Sequence, residues 1–159
     1  MEVFLRPAQA DDREFLFKLY ASTRLEELAA FGWNPSQQEA FLRMQFNAQQ
    51  QWYATAYSKA DEQIVMLGER SIGRMMVNRE RGAAMLVDIA LLPEHRGHGI
   101  GGGLLRDLIA QCSQEGLALR LQVLRNNPAA RLYERLGFRQ TGADDMYRQM
   151  EKLPGAHMG

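Results

Sequence analysis

Apolar residues recur along this chain with two different periods, and the two periods follow each other in a regular order. Short runs of branched and aromatic residues, several of them ended by proline or glycine, predict strands. The predicted strands cover residues 3–7, 63–68, 72–78, 86–92, 117–123, 138–141 and 146–150. Apolar residues spaced three and four positions apart predict helices. Two predicted helices begin near residues 11 and 34. Two more cover residues 104–112 and 128–136.

Two of these helices carry recognisable start signals. Asp11 with Glu14 three residues later resembles a capping box, and Asn34 stands before Pro35 and Gln37 in a second one. The second helix is expected to turn one apolar face toward the core. That face is predicted to consist of Phe41, Met44, Ala48 and Trp52.

The order of the elements predicts the fold class. A first strand and two helices precede antiparallel meander strands, and a strand, helix and strand crossover follows them. We therefore expect a single α/β domain at 1–152, with a mixed, mostly antiparallel sheet flanked by helices. Residues 153–159 are expected to form a flexible tail.

Composition narrows the class of protein without identifying its activity. The 159 residues carry 19 basic and 19 acidic side chains, so no net field favours nucleic acid or an anionic membrane as a partner. Cys112 is the only cysteine and there are three histidines, which excludes a disulfide framework and a Cys/His zinc site. No stretch is apolar enough for a membrane span, and no signal peptide is visible, so a cytoplasmic protein without a metal site is expected.

Glycines that follow the strand at 86–92, after the intervening residues 93–96, provide the clearest chemical signal. Gly97, Gly99 and Gly101 let the backbone approach a ligand closely, and the following helix adds the positive end of its dipole. This combination favours a phosphate ligand. A dinucleotide-binding fold would need the first glycine directly after the strand and an acidic residue about 20 positions later, and the sequence has neither.

Two motifs in this region resemble those of the GNAT N-acetyltransferase superfamily. The first matches the family's acyl-CoA motif and is Arg96-Gly97-His98-Gly99-Ile100-Gly101, and the second spans 126–138, from Asn126 to Phe138. The resemblance implies a GNAT-like acyl-CoA N-acyltransferase fold with acetyl-CoA as the cofactor. The residues that it implies for cofactor binding are Leu91, Leu92, Arg96, Gly97, His98, Gly99, Ile100, Gly101, Gly102 and Asn126.

The sequence allows a second role, besides cofactor binding, for several of these positions. Backbone groups at Leu91 and Leu92 match those that hold the pantetheine arm in the family, and an N–H there would stabilise an oxyanion. Arg96 suits a pyrophosphate, although a surface salt bridge would also use it. Asn126 aligns with the family asparagine, whereas capping favours Asn127, which directly precedes a proline.

Two side chains are candidates for proton transfer. Tyr133 matches the family position that protonates the departing CoA thiolate, and the alternative is a tyrosine that only packs in the core. Asp88 lies in a strand that is otherwise apolar, so we expect it to be buried, either as a general base with a raised pKa or as a structural hydrogen-bonding group.

The resemblance also implies where the acceptor substrate binds. In the family the two helices after the first strand form part of the acceptor wall, and here Glu26, Glu27 and Trp33 are the candidates. The implied reaction is transfer of an acetyl group to a primary amine, by direct attack in a ternary complex. The acceptor would be a small molecule or a peptide, and a homodimer is left open. The alternative is a GNAT-like module that binds CoA for regulation and has lost catalysis.

Overall fold

The computed structural model describes residues 2–155, with the exception of the Glu26 side chain. Seven strands form the sheet, and each lies within a few residues of a predicted one. They are β1 Val3–Pro7, β2 Asp61–Leu67, β3 Arg70–Glu80, β4 Ala83–Leu91, β5 Ala118–Leu124, β6 Arg139–Ala143 and β7 Tyr147–Lys152. The expected end of the chain, 153–159, is described only as far as residue 155.

Five helices accompany the strands. They are α1 Arg13–Ser22, α2 Leu25–Ala29, α3 Pro35–Ala56, α4 Ile100–Gln114 and α5 Ala129–Arg135. The short α2 was not predicted, since its five residues are too few for an apolar period to show. The α3 start was predicted correctly: the Asn34 Oδ1 accepts from the Gln37 N–H at 2.8 Å, and the Gln37 Oε1 accepts from the Asn34 N–H at 3.0 Å.

The seven strands lie in the order β1-β2-β3-β4-β5-β7-β6, which confirms the predicted mixed α/β fold. Strands β1 and β2, β5 and β7, and β6 and β7 pair antiparallel, whereas β4 and β5 pair in parallel. A parallel neighbour requires a crossover, and α4 supplies it. The register of β4 and β5 runs from Ala83 with Ala118 to Leu86 with Leu121 and then stops.

Contacts within this domain divide it into two compact units. The first takes the chain through residue 74 together with 90–96, and the second takes 75–89 together with the chain from 97 onward. The first unit has a core of large apolar side chains from α1, α2, α3 and β2, namely Leu16, Phe17, Tyr20, Leu28, Leu42, Phe46, Ile64 and Met66. The second unit buries one face of α4 with alternate residues of β5, namely Leu104, Leu105, Leu108, Cys112, Leu119, Leu121 and Val123.

The predicted apolar face of α3 is wrong. Met44 and Trp52 are each 60% exposed, and the buried residues of this helix are Leu42 and Phe46. Phe46 is buried because its ring lies edge-on against the Phe17 ring at a centroid distance of 5.6 Å. The helix is rotated so that these aromatic rings are in contact, which leaves Met44, Ala48 and Trp52 of the predicted face exposed. Phe41, the fourth predicted residue, is half-buried and packs against the core.

The predicted start of the first helix also needs correction. Asp12, and not Asp11, is the acceptor at this turn, since its carboxylate accepts from the Gln9 N–H at 2.8 Å. The same carboxylate accepts hydrogen bonds from both terminal nitrogens of Arg6, at 2.7 and 2.8 Å. Glu14 instead pairs with Arg43 on α3.

Within residues 2–155, no helix is long and apolar enough to cross a membrane.

Candidate functional site

The end of β4 is held by β3 and by its own following loop. The Leu92 N–H donates to the Ile72 carbonyl oxygen at 2.8 Å, so this donor is used by the sheet. The Arg96 Nε donates to the Leu91 carbonyl oxygen at 2.9 Å. Of the two backbone donors that the sequence indicated, the N–H of Leu91 therefore remains as the candidate, and the N–H of Leu92 does not. Arg96 is exposed and its guanidinium is anchored at one nitrogen by this bond.

The glycines that follow adopt the conformations that the anion-loop interpretation requires. Gly97 has φ +77° and Gly99 has φ +81°, both in the left-handed region that favours glycine. No heavy atom lies within 4 Å of the place where a Cβ would stand at either residue. The backbone at this loop is therefore open to a ligand that a side chain would displace.

Helix α4 begins directly after Gly99, earlier than its apolar pattern predicted. Ile100, Gly101 and Gly102 form its first turn, and no side chain caps it. The N–H groups of a first turn have no partner within their own helix, and they carry the positive end of its dipole. The atoms nearest to a Cβ at Gly102 would be those of the Arg106 guanidinium, the first at 3.5 Å. His98 is exposed beside this turn.

Tyr133 and Asp88 lie near each other within the second unit. The Tyr133 side chain is buried, with its ring edge-on to Phe138 at 5.7 Å. Burial raises the pKa of the Tyr133 phenol, and the negative charge of Asp88 raises it further. A phenol with a raised pKa keeps its proton at neutral pH. Asp88 itself is half-buried and not fully buried as expected, and it lies beyond Leu86, the last residue of β4 that pairs with β5.

The two asparagines before α5 have different environments. The Asn127 Oδ1 accepts from the Ala129 N–H at 2.9 Å, so this side chain caps the helix that carries Tyr133. Asn126 is exposed. The capping role that physics favoured for Asn127 is confirmed, and it leaves Asn126 as the candidate for contact with a ligand.

The acceptor candidates belong to the first unit. Trp33 is half-buried, stacked on Phe31 at a centroid distance of 5.4 Å and edge-on to Phe41 at 5.1 Å. Phe31 is 62% exposed, so one side of this aromatic group faces solvent. Glu27 is exposed, and Glu26 lies outside the side chains that the structure describes.

Gly73, inside β3, was not singled out from the sequence. It is buried, and a Cβ built on it would lie 2.7 Å from the Leu91 Cδ2 and nearer still to the Ala90 carbonyl oxygen. A glycine in the interior of a strand is the sequence signal for such a close backbone approach. Nothing in the sequence alone says which strand makes the approach.

Comparison with known proteins decides the family. The family model for the acetyltransferase (GNAT) domain matches residues 59–140, which is more than half of the chain. The chain belongs to the GNAT acetyltransferase family. The match contains the glycine loop and Tyr133, so both motifs identified in the sequence lie inside it.

Relatives of this GNAT protein share both sequence and fold. It is 43% identical over 58 residues to the ribosomal protein bS18-alanine N-acetyltransferase of Haemophilus influenzae, a segment that covers 36% of this chain and 40% of that enzyme. The chain thus spans about 40% of the length of this relative. Two solved structures share its fold over nearly their whole length. They are the PaiA N-acetyltransferase of Thermoplasma acidophilum in complex with coenzyme A (TM-score 0.71, 20% identity, 96% of this chain and 99% of that one) and the ribosomal-protein-S18-alanine N-acetyltransferase of Escherichia coli (TM-score 0.69, 18% identity, 99% and 97%).

Proposed function

We propose that this acetyltransferase moves an acetyl group from acetyl-CoA to a primary amine, by direct attack of the amine in a ternary complex. The observation that carries the proposal is that Tyr133, a buried phenol with a raised pKa, lies within electrostatic reach of the half-buried carboxylate of Asp88. These are the two proton-transfer groups that the reaction needs, one an acid and one a base. The family membership supplies the acetyl-transfer chemistry.

The glycine loop fits the phosphate end of coenzyme A. Gly97 and Gly99 leave the space of a side chain open, and the first turn of α4 offers uncapped N–H groups to the pyrophosphate. Arg96 adds a guanidinium whose Nε donates to the Leu91 carbonyl oxygen. Among the described residues its terminal nitrogens form no ion pair with a carboxylate, so they are available for a phosphate. His98 and Asn126, both exposed, are available for further contacts with the cofactor.

The protein's own groups move two protons in the proposed reaction. Asp88 takes a proton from the ammonium form of the acceptor, directly or through water, because only a neutral amine attacks a thioester. The N–H of Leu91 stabilises the negative charge that develops on the carbonyl oxygen. Tyr133 gives its proton to the sulfur as the carbon–sulfur bond breaks. The attacking nitrogen loses a second proton as the amide forms, which restores the proton of Tyr133, and the proton taken by Asp88 passes to solvent.

The acceptor class follows from a different observation. Two of the similar proteins are named as N-acetyltransferases of an alanine of ribosomal protein S18. We include a peptide with an N-terminal alanine among the acceptors of this protein, with Glu27 and Trp33 as the residues that would meet it. The expected cytoplasmic location is part of the same proposal.

Release of free thiol from acetyl-CoA tests this function against the alternative of an inactive CoA-binding module. The acceptor panel comprises a peptide starting with alanine, the same peptide with a blocked N-terminus, free amino acids and small amines. The proposal predicts thiol release above background with at least one free amine and none with the blocked peptide. Binding of CoA without release for any amine would favour the inactive module.

A further inference from the structure

The inference concerns Gly73 on β3, and it rests on the proposed role of the Leu91 N–H. In a regular antiparallel pair, carbonyl groups lie in the plane of the sheet and side chains stand perpendicular to it. A side chain at position 73 would nevertheless run into the Ala90 carbonyl oxygen. The carbonyl of Ala90 has therefore turned out of the sheet plane, into the space where a side chain of residue 73 would stand.

That turn fixes the direction of the neighbouring donor. The Ala90 carbonyl and the Leu91 N–H belong to one planar trans peptide, in which the two groups point in opposite directions. Because the carbonyl of Ala90 points toward Gly73, the N–H of Leu91 points away from it. The next N–H, of Leu92, returns to a normal ladder bond with Ile72. The distortion therefore ends before the Leu92 N–H.

We infer that Gly73 is a positioning residue, which aims the Leu91 N–H by leaving room for the Ala90 carbonyl. A side chain at position 73 would push this carbonyl back toward the sheet plane and would rotate the Leu91 N–H with it. Gly73 touches neither substrate in this account. Its effect on the reaction passes entirely through the peptide that joins Ala90 and Leu91.

The test replaces Gly73 by alanine and measures kcat, KM for acetyl-CoA and the dissociation constant of CoA, well below the melting temperature. Loss of an oxyanion donor lowers kcat about 10² to 10³-fold, so Gly73→Ala is expected to lower kcat about 10²-fold with the CoA dissociation constant unchanged. The matched control is Gly142→Ala, another strand glycine, whose Cβ would meet only the flexible Gln149 side chain. A kcat within threefold of the wild type, or a loss confined to CoA affinity, overturns the inference.

A second variant separates this inference from the proposed function. Replacing Leu91 by its α-hydroxy acid turns the amide into an ester, which replaces the N–H by an oxygen atom and also weakens the Ala90 carbonyl oxygen as an acceptor. If Gly73 acts through that N–H, the double variant is no slower than the ester variant alone. A slow ester variant together with a fast Gly73→Ala variant would overturn the inference and keep the proposed function. A wild type without any turnover would overturn the proposed function instead.

Hydrogen exchange in the wild type decides the matter if Gly73→Ala does not fold. With leucine labelled by nitrogen-15, the Leu92 amide is expected to exchange slowly because it donates to Ile72. The Leu91 amide is expected to exchange at least tenfold faster and to slow when acetyl-CoA is added. Equal protection of the two amides would mean that the Leu91 N–H is not turned out of the sheet, and would overturn the inference.

Discussion

The carboxylate of Asp88 lies close enough to the Tyr133 phenol to add to the increase in its pKa, for which burial is the larger cause. Both effects keep the phenol protonated, which is the form that a general acid needs. The charge of Asp88 therefore contributes to the pH at which Tyr133 loses its proton, in addition to burial. This coupling gives each residue a distinct signature in a pH–rate profile.

Asp88→Asn tests that coupling. Removing the charge lowers the pKa of Tyr133, so the high-pH limb, where activity falls as the phenol ionises, is expected to move to lower pH. If Asp88 is also the base, the low-pH limb flattens and kcat falls about 10² to 10⁴-fold. Asp107→Asn, at an exposed acid on α4, is the matched control. A less stable Asp88→Asn protein whose profile keeps its shape would assign Asp88 a structural role, and Glu26 and Glu27 would be tested next.

Gly99→Val tests the phosphate loop by thermal shift. Acetyl-CoA at 100 times its dissociation constant should stabilise the wild type by about 2.7 kcal/mol, seen as a higher melting temperature. Valine at position 99 resists φ +81° and fills the open space, so the shift is expected to disappear. Gly116→Val, at φ +71° with equally open surroundings, bears the same strain outside the loop and should keep the shift. A shift with NADH and none with acetyl-CoA would contradict the loop's assignment.

Substitutions of the two asparagines before α5 are expected to have opposite effects on stability and on CoA affinity. Asn127→Ala removes the cap of the Ala129 N–H and should cost about 1 kcal/mol of stability, with CoA affinity nearly unchanged. Asn126→Ala should leave the melting temperature unchanged and weaken CoA binding. Calorimetric titration with CoA and thermal unfolding of both variants measure the two effects. The assignment fails if Asn127→Ala is the variant that loses CoA.

The Arg6–Asp12 pair predicts a pH-dependent contribution to stability. The hydrogen bonds from Arg6 lower the pKa of Asp12 below its ordinary 3.8. A carboxyl with a lowered folded pKa contributes stability that is complete at neutral pH and is lost as the pH falls through that lower value. Asp12→Asn should therefore cost about 1–2 kcal/mol at pH 7, and the difference from the wild type should vanish in strong acid. Urea unfolding across this range measures it, and Asp11→Asn, which leaves the pair intact, should show no comparable loss.

The sequence predicted the strands and the strand–helix–strand crossover because their signals are local. Several strands are short apolar runs with proline or glycine at their end, and α4 repeats its apolar residues at helical spacing. Local signals of this kind could not predict which face of α3 is buried. Its glutamine-rich sequence has only a weak apolar stripe, so the contact of Phe46 with Phe17 determines which face is buried.

The candidate site shows the same division between local and long-range information. The glycine motif predicted positive φ at Gly97 and Gly99, since only glycine adopts that conformation readily. Asp88 is half-buried and lies beyond the last β4 residue that pairs with β5, which no local pattern encodes. The approach of Ala90 to Gly73 joins residues 17 positions apart, so it too required the structure.

The central claim is that this protein catalyses acetyl transfer to an amine with Tyr133 as the acid. Its most direct test is mass spectrometry of the acceptor amine, with free CoA measured in the same reaction, for the wild type and for Tyr133→Phe. The account predicts one acetyl group on the amine for each CoA released by the wild type. For Tyr133→Phe it predicts a kcat that is lower by about 10² to 10⁴-fold, with CoA affinity unchanged. Equal turnover by both proteins would contradict the acid role, and CoA binding without an acetylated amine across the panel would contradict the claim itself.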